Sequence, residues 1–298
     1  MIRNMAASVR QRLLDRSRQE RRPFQELLQL YVMERFLYRL SQSPHAQCFV
    51  LKGALMLQVW QSPQSRPTRD IDLLGHISND PSSLLALFRD VLSVDELDDG
   101  IEFDPESLSA EPITEEADYQ GVRVLFNATL SAAKARLQID IGFGDVVLPT
   151  PEWMTYPVLL DLPAPRLLCY SRESAIAEKF QAMVALGRLN SRMKDFYDIW
   201  LLSRSFDFEL APLKAAIVAT FQKRNTELPV RPLFSEAFSR EKQPQWQAFI
   251  RRLDQDTIEQ DFSAVVSVLE KFLGEALEPE AVITNRYWCT GGPWQSPK

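Results

Sequence analysis

Between residues 24 and 40 apolar side chains recur at helical spacing. Leu27, Leu28, Tyr31, Val32, Phe36 and Leu40 fall on one stripe, which predicts an amphipathic helix. Residues 5–21 are rich in arginine with few apolar anchors and suit an exposed helix or arm. SQSPHAQ then interrupts the helical pattern through serine and proline. CFVLKG is a short strand ending at Gly53, ALMLQVWQ returns to helical spacing, and SPQSRPT is a loop with two prolines. RDIDLLG is a second short strand, and SLLALFRDVLSV is a helix whose cap lies among Asn79, Asp80 and Pro81. YQGVRVLFNATL and ARLQIDIGFGD alternate as two strands joined by a short turn. The proline-rich stretch 149–168 connects to a helical region, with helices expected over 172–189, 191–203, 210–223 and 246–276, the last in one or two pieces. NRYWCTGGPWQSPK closes the chain as a tail or docking strap. The pattern divides into an N-terminal helical arm (1–40), a mixed α/β core (41–165) and a helical C-terminal domain (166–298).

Composition narrows the chemistry. With 298 residues and 45% hydrophobic content the chain can bury a core in each of two domains. No apolar run approaches the roughly 18–20 residues of a membrane span. The charged N-terminus lacks a signal core, so a soluble, cytoplasmic protein is expected. Three scattered cysteines, Cys48, Cys169 and Cys289, argue against a disulfide framework. Two histidines, His45 and His76, argue against zinc or a histidine relay, leaving carboxylates and lysines to carry any reaction.

The net charge of −6 gives no global field for nucleic acid, but it is unevenly spread. Arg10, Arg12, Arg16, Arg18, Arg21 and Arg22 crowd the N-terminus. Asp95, Glu96, Asp98, Asp99, Glu102, Asp104, Glu106, Glu111, Glu115, Glu116 and Asp118 make an acidic run. Both runs read as solvated faces or a mobile loop.

Asp70 and Asp72 stand two apart on a strand, so they share a face while Ile71 and Leu73 point to the core. Two carboxylates side by side need a cation or a shared proton. Magnesium, which takes carboxylate oxygens together with substrate phosphates, suits them. Alone the pair is a weak signal, because an Asp-x-Asp on a solvent-facing strand is usually plain surface. Two further features point to phosphate chemistry. LKGA places Gly53 at a strand-to-helix turn where backbone can approach a phosphate. In LQIDIGFGD, Leu137, Ile139 and Ile141 take one face, leaving Gln138, Asp140 and Gly142 on the other. Asp140 joins the pair if the two strands are neighbours; otherwise it is an edge or turn residue.

Downstream, Lys179 sits beside the stripe of Ile176, Phe180, Met183 and Val184 or Leu186. It suits a triphosphate as a point charge, or a snorkelling surface lysine. In the next helix Lys194 and Asp198 are four apart, and Asp195 and Asp198 three apart. A local Lys194–Asp198 pair of ~0.3–0.5 kcal/mol accounts for that spacing. Because Phe196, Tyr197, Ile199 and Trp200 pack the core, Lys179 or Arg192 are further candidate partners for these carboxylates.

Taken together, LKGA, RPTRDIDLLG, LQIDIGFGD, ESAIAEKFQAM and RMKDFYDIW, in that order and over roughly residues 45–205, resemble the AbiEii/AbiGii toxin family. This family is a branch of the nucleotidyltransferase (DNA polymerase β-like) superfamily that includes the MenT toxins. The resemblance implies an α/β fold with a mixed-sheet nucleotidyltransferase core and a C-terminal helical bundle. It implies Mg²⁺ at Asp70, Asp72 and Asp140, and nucleotide binding by Lys52, Gly53, Ala54, Lys179 and Lys194. It implies a catalytic set of Asp70, Asp72, Asp140, Lys179, Asp195 and Asp198. The family turn usually carries Gly-Gly or Gly-Ser; here it is Gly53-Ala54, without a hydroxyl.

The implied activity is that of a type IV toxin–antitoxin or abortive-infection toxin that transfers nucleotides from a nucleoside triphosphate, with the tRNA 3′ end as acceptor. The implied partner is a separately encoded DNA-binding antitoxin, with no membrane role. Competing readings are transfer to a protein or cationic small-molecule hydroxyl, and an interaction protein with a decayed site. A haloacid-dehalogenase-type phosphatase fits less well, because DIDLL lacks the hydroxyl residue expected after the pair.

Overall fold

In the first 170 residues, strands with one apolar face stack their buried sides under two helices. The computed structural model describes residues 4–62, 66–94, 97–113, 121–253, 257–278 and 286–296. Asp95, Glu96, Glu115, Glu116 and Asp118 of the acidic run, Pro63, Gln64 and Ser65 of the two-proline loop, and Tyr119 and Gln120 lie outside the described residues. The chain forms two compact units. The first comprises Met1–Gln61, Pro67–Gly144 and Glu152–Cys169; the second comprises Ser62–Arg66, Asp145–Pro151 and Tyr170–Lys298.

The first unit holds α1 (Met5–Glu20), α2 (Phe24–Gln42), β1 (Phe49–Lys52), α3 (Met56–Val59), β2 (Asp70–Gly75) and α4 (Pro81–Leu92). It continues with β3 (Ile101–Ile113), β4 (Gly121–Leu130), β5 (Ala133–Phe143), β6 (Glu152–Thr155) and β7 (Arg166–Cys169). Its seven-stranded sheet runs β3-β4-β5-β2-β1-β7-β6. The sheet is mixed: β2 is parallel to β5 and β1 to β7, whereas β1–β2, β3–β4, β4–β5 and β6–β7 are antiparallel. Alternation sets the register. Ile71, Leu73, Ile139 and Ile141 are buried on the face under α2 and α4, so their neighbours Asp70, Asp72 and Asp140 project from the other face. An aromatic cluster of Phe36, Phe49, Phe88, Phe103 and Phe126, with centroids 5.4–6.4 Å apart, fills that core. The helix α4 is capped by Asp80, whose side chain accepts from Ser83 N–H.

Two sequence expectations change here. The acidic run is not simply a solvated loop: residues 101–113 form β3 at the sheet edge, and Asp99 is buried in a bidentate pair with Arg39 at 2.7 and 3.2 Å. Alternating charge on a long edge strand deters strand addition, and it masks the strand in the sequence. The proline-rich stretch 149–168 is more than a connector, because it supplies β6 and β7, the last two strands on the opposite side of the sheet.

The second unit is helical: α5 (Arg172–Leu186), α6 (Met193–Ser205), α7 (Leu210–Lys223), α8 (Glu236–Ile250) and α9 (Phe262–Gly274). Helix α8 starts ten residues before the expected 246, capped by Ser235, and carries Pro244 in its interior. The final segment contributes β9 (Tyr287–Trp288) and β10 (Trp294–Gln295), which join β8 (Phe208–Glu209) in a small antiparallel sheet. Trp288 and Trp294 are buried there and donate to the carbonyls of Ser203 and Phe272 at 2.6 and 3.0 Å. Among the described residues, no helix is long and apolar enough to cross a membrane.

Candidate active site

Strand pairing builds a charged row across the open face of the first unit's sheet. Lys52 on β1 pairs with Asp72 on β2, Asp72 with Asp140 on β5, and Asp140 with Arg123 on β4. Residues in register share a face, so the order is cation, carboxylate, carboxylate, cation. Asp70, two residues before Asp72, adds a third carboxylate. One oxygen from each of Asp70, Asp72 and Asp140 lies within 4.8 Å of the others. Among the described residues this is the one cluster of three acidic, histidine or cysteine side chains close enough to share an ion.

Asp70 and Asp140 are held by hydrogen bonds. Thr68 Oγ1 donates to Asp70 Oδ1 in a short hydrogen bond. Arg123 grips Asp140 with two parallel bonds, Nε to Oδ1 at 2.8 Å and Nη2 to Oδ2 at 2.9 Å. Gln138 Nε2 reaches the same two oxygens at 3.3 and 3.1 Å. Gly53 borders Asp72. Its φ is +73°, and a Cβ built on it falls 1.8 Å from Asp72 Oδ2. What the missing side chain makes room for, then, is the carboxylate itself. Ala54 is buried.

This donor set fits a small hard cation. All three candidate ligands are carboxylate oxygens, and among the described residues no cysteine or histidine joins the cluster to favour a softer metal. An octahedral ion with bonds of about 2.1 Å spaces its oxygens by roughly 3–4 Å, which small side-chain rotations reach from the separations here.

The second unit gathers a different set. Lys179 on α5 pairs with Asp198 at 2.8 Å and Asp195 at 3.3 Å, both on α6. Arg66 adds Nε and Nη2 to Asp198 at 2.9 and 3.0 Å, and Arg192 meets Asp195 at 2.9 Å. Both aspartates are 1% exposed. Burial alone raises a carboxyl's pKa, but Lys179 and Arg66 outweigh it and bring Asp198 down to about 2. Burial likewise opposes the Lys179 charge, and Asp198 and Asp195 override it, raising the lysine. The local Lys194–Asp198 pair suggested by spacing gives way to this network: Asp198 faces inward, and Lys194 is exposed.

The structure thus brings Lys52, Gly53, Asp70, Asp72 and Asp140 together in one unit, and Lys179, Asp195 and Asp198 together in the other. Sequence reasoning missed Arg123 and Arg66. For Arg123 a signal existed. The two-residue turn Ser131–Ala132 pairs Leu130 with Ala133 and, counting back along both strands, Arg123 with Asp140. Arg66 gives no comparable signal, since its partner lies 132 residues away.

The sequence profile described as "Nucleotidyl transferase AbiEii toxin, Type IV TA system" matches residues 35–268. No curated protein matches. Among solved structures, a "putative nucleotidyltransferase" from H. pylori aligns at 14% identity and TM-score 0.46, over 86% of this chain and 99% of that one. JHP933 from Helicobacter pylori aligns at 15% identity and TM-score 0.43, over 83% of this chain and 98% of that one.

Proposed function

The chain belongs to the AbiEii nucleotidyl transferase toxin family of type IV toxin–antitoxin systems, and from that premise we propose that it is a Mg²⁺-dependent enzyme moving a nucleotide from a nucleoside triphosphate to an RNA hydroxyl, the 3′ end of tRNA. The observation that carries this reading is the convergence of Asp70, Asp72 and Asp140 on one sheet face.

Asp70, Asp72 and Asp140 would hold the ion. Bound there, it supplies charge neutralisation at the triphosphate and at the departing pyrophosphate. Asp70, held by Thr68, and Asp72, seated against the Gly53 turn, would fix the place of the ion to which the triphosphate binds. Lys52 and the backbone of Gly53 and Ala54 take phosphate oxygens. Asp140, oriented by Arg123, accepts the proton of the attacking hydroxyl. The hydroxyl oxygen forms its bond to the α-phosphorus as the bond to the bridging oxygen breaks, and pyrophosphate leaves.

Lys179, Lys194, Asp195 and Asp198 enter this proposal by motif correspondence. The geometry of Lys179, Asp195 and Asp198 supports anchoring of α5 to α6, with charges balanced inside the second unit. A cytoplasmic site of action and a cognate antitoxin complete the reading.

The test is to incubate the full chain with labelled nucleoside triphosphates, Mg²⁺ and total tRNA. Labelled tRNA extended at its 3′ end is expected. No label under conditions where an active relative labels its RNA overturns the reading. Label appearing instead on added protein or aminoglycoside moves the acceptor to those classes.

A further inference from the structure

Both oxygens of Asp140 already receive a guanidinium. A carboxylate has about four lone-pair directions. In a parallel two-bond pairing, Arg123 Nε and Nη2 take the inner direction of each oxygen, the two that face each other across the carboxylate fork. A cation chelated by both oxygens would need the same two directions. Gln138 Nε2, at 3.3 and 3.1 Å, is nearly equidistant from the two oxygens and so sits off the carboxylate plane rather than along either outer direction. What remains open is the outer direction of each oxygen: either oxygen can reach an ion by itself, but the two cannot chelate one ion together.

That restriction separates cations by size. Mg²⁺ and Mn²⁺ are content with six ligands and one oxygen per carboxylate. Ca²⁺ takes six to eight ligands and commonly gains the extra ones from two-oxygen carboxylate binding.

We propose that Arg123 is a specificity-determining residue, disfavouring Ca²⁺ by occupying the chelating edge of Asp140. The proposal rests on the reading that Asp70, Asp72 and Asp140 hold the ion, and its test separates the two. Arg123 is also well placed to act this way without being essential to the fold. Its side chain is 24% exposed, on the open sheet face rather than in the aromatic core.

The experiment measures Mn²⁺ binding to the full-length protein by electron paramagnetic resonance, then displacement of Mn²⁺ by Mg²⁺ and by Ca²⁺. It compares wild type, Arg123→Ala and Arg123→Lys. Removing a positive charge strengthens binding of every divalent ion, so the readout is the ratio of the Ca²⁺ and Mg²⁺ displacement constants, in which that common effect cancels. In Arg123→Ala the ratio should move toward Ca²⁺ by about 10-fold. Arg123→Lys keeps the charge but offers a point donor in place of the fork, leaving one inner direction open. Its ratio should move the same way by a smaller factor, and it carries the test if the alanine variant does not fold. A wild type that binds Mn²⁺ with a ratio unchanged in the folded variants overturns the role of Arg123. A wild type that binds no Mn²⁺ overturns the ion site itself, and the role of Arg123 with it.

Discussion

The Cα of Gly53 stands against the carboxylate of Asp72 so closely that a methyl group there would overlap Oδ2 at 1.8 Å. The turn after β1 and the aspartate on β2 are therefore one device, and glycine is required twice, for the space and for a φ of +73°. Gly53→Ala should displace Asp72. The expected outcome is a loss of nucleotidyl transfer of ~10²-fold, from misplacement of one ligand, with far-ultraviolet circular dichroism retained. Activity within twofold of wild type would show that Asp72 need not stay where it is.

In the second unit, Asp198 is the buried anion between Lys179 and Arg66. Removing it takes from Arg66 its two-bond carboxylate and leaves Lys179 with Asp195 as its carboxylate partner, in a largely buried setting. Asp198→Ala should cost about 3–5 kcal/mol in urea unfolding. The sign with pH follows from the depressed carboxyl. Its contribution is fully present above the unfolded value of 3.8 and is lost as pH falls from about 4 toward about 2. Wild type should therefore lose stability across that window more steeply than the variant does.

Glu34 behaves in the opposite sense. Burial pushes its carboxyl up to about 7, despite Arg35 at 2.6 Å and a hydrogen bond from Leu159 N–H. Below the unfolded value of 4.5 both states are protonated and the group is neutral to stability. As pH rises from 4.5 to about 7 the unfolded state releases its proton first, and stability falls, by on the order of 3 kcal/mol. Thermal melts of wild type between pH 5 and 8 should show this decline. Glu34→Gln should flatten it, whatever offset the altered Arg35 pairing adds. Parallel slopes for the two proteins would mean that Glu34 does not titrate in this range.

The C-terminal segment is a structural strap within the second unit. The Trp288 ring packs 4.9 Å from Phe272 and 5.6 Å from Trp294, and its indole N–H reaches the carbonyl of Ser203. Trp288→Ala should cost about 3–5 kcal/mol, as large buried aromatics do. Chemical denaturation measures it, and a cost below 1 kcal/mol would mean that the strap is dispensable.

Much of the site was legible in sequence because its chemistry rides on local alternation. Ile71 and Leu73 fix the face of Asp70 and Asp72, and Ile139 and Ile141 fix that of Asp140. Whether the two strands touch was not legible, since the β2–β5 pairing joins segments about 70 residues apart and leaves no local trace. The edge strand β3 was hidden because its charges serve the solvent-facing role of an edge and read as loop. The strand β7 was hidden for a different reason: four residues, RLLC, follow a run of prolines, too short for a period to register. The helix network was half legible. Lys179 was recognisable as shielded and Asp195 and Asp198 as unusual near a core stripe, but Arg66 reaches Asp198 only through the tertiary fold.

The central claim is that the carboxylates on β2 and β5 form a phosphoryl-transfer site. Its most direct measurement is transfer of labelled nucleotide to tRNA by wild type and by Asp72→Asn, a near-isosteric change that removes one charge from the three-carboxylate cluster. The variant should remain folded and lose transfer by at least ~10²-fold. Transfer by Asp72→Asn at the wild-type rate would place the reaction elsewhere in the molecule.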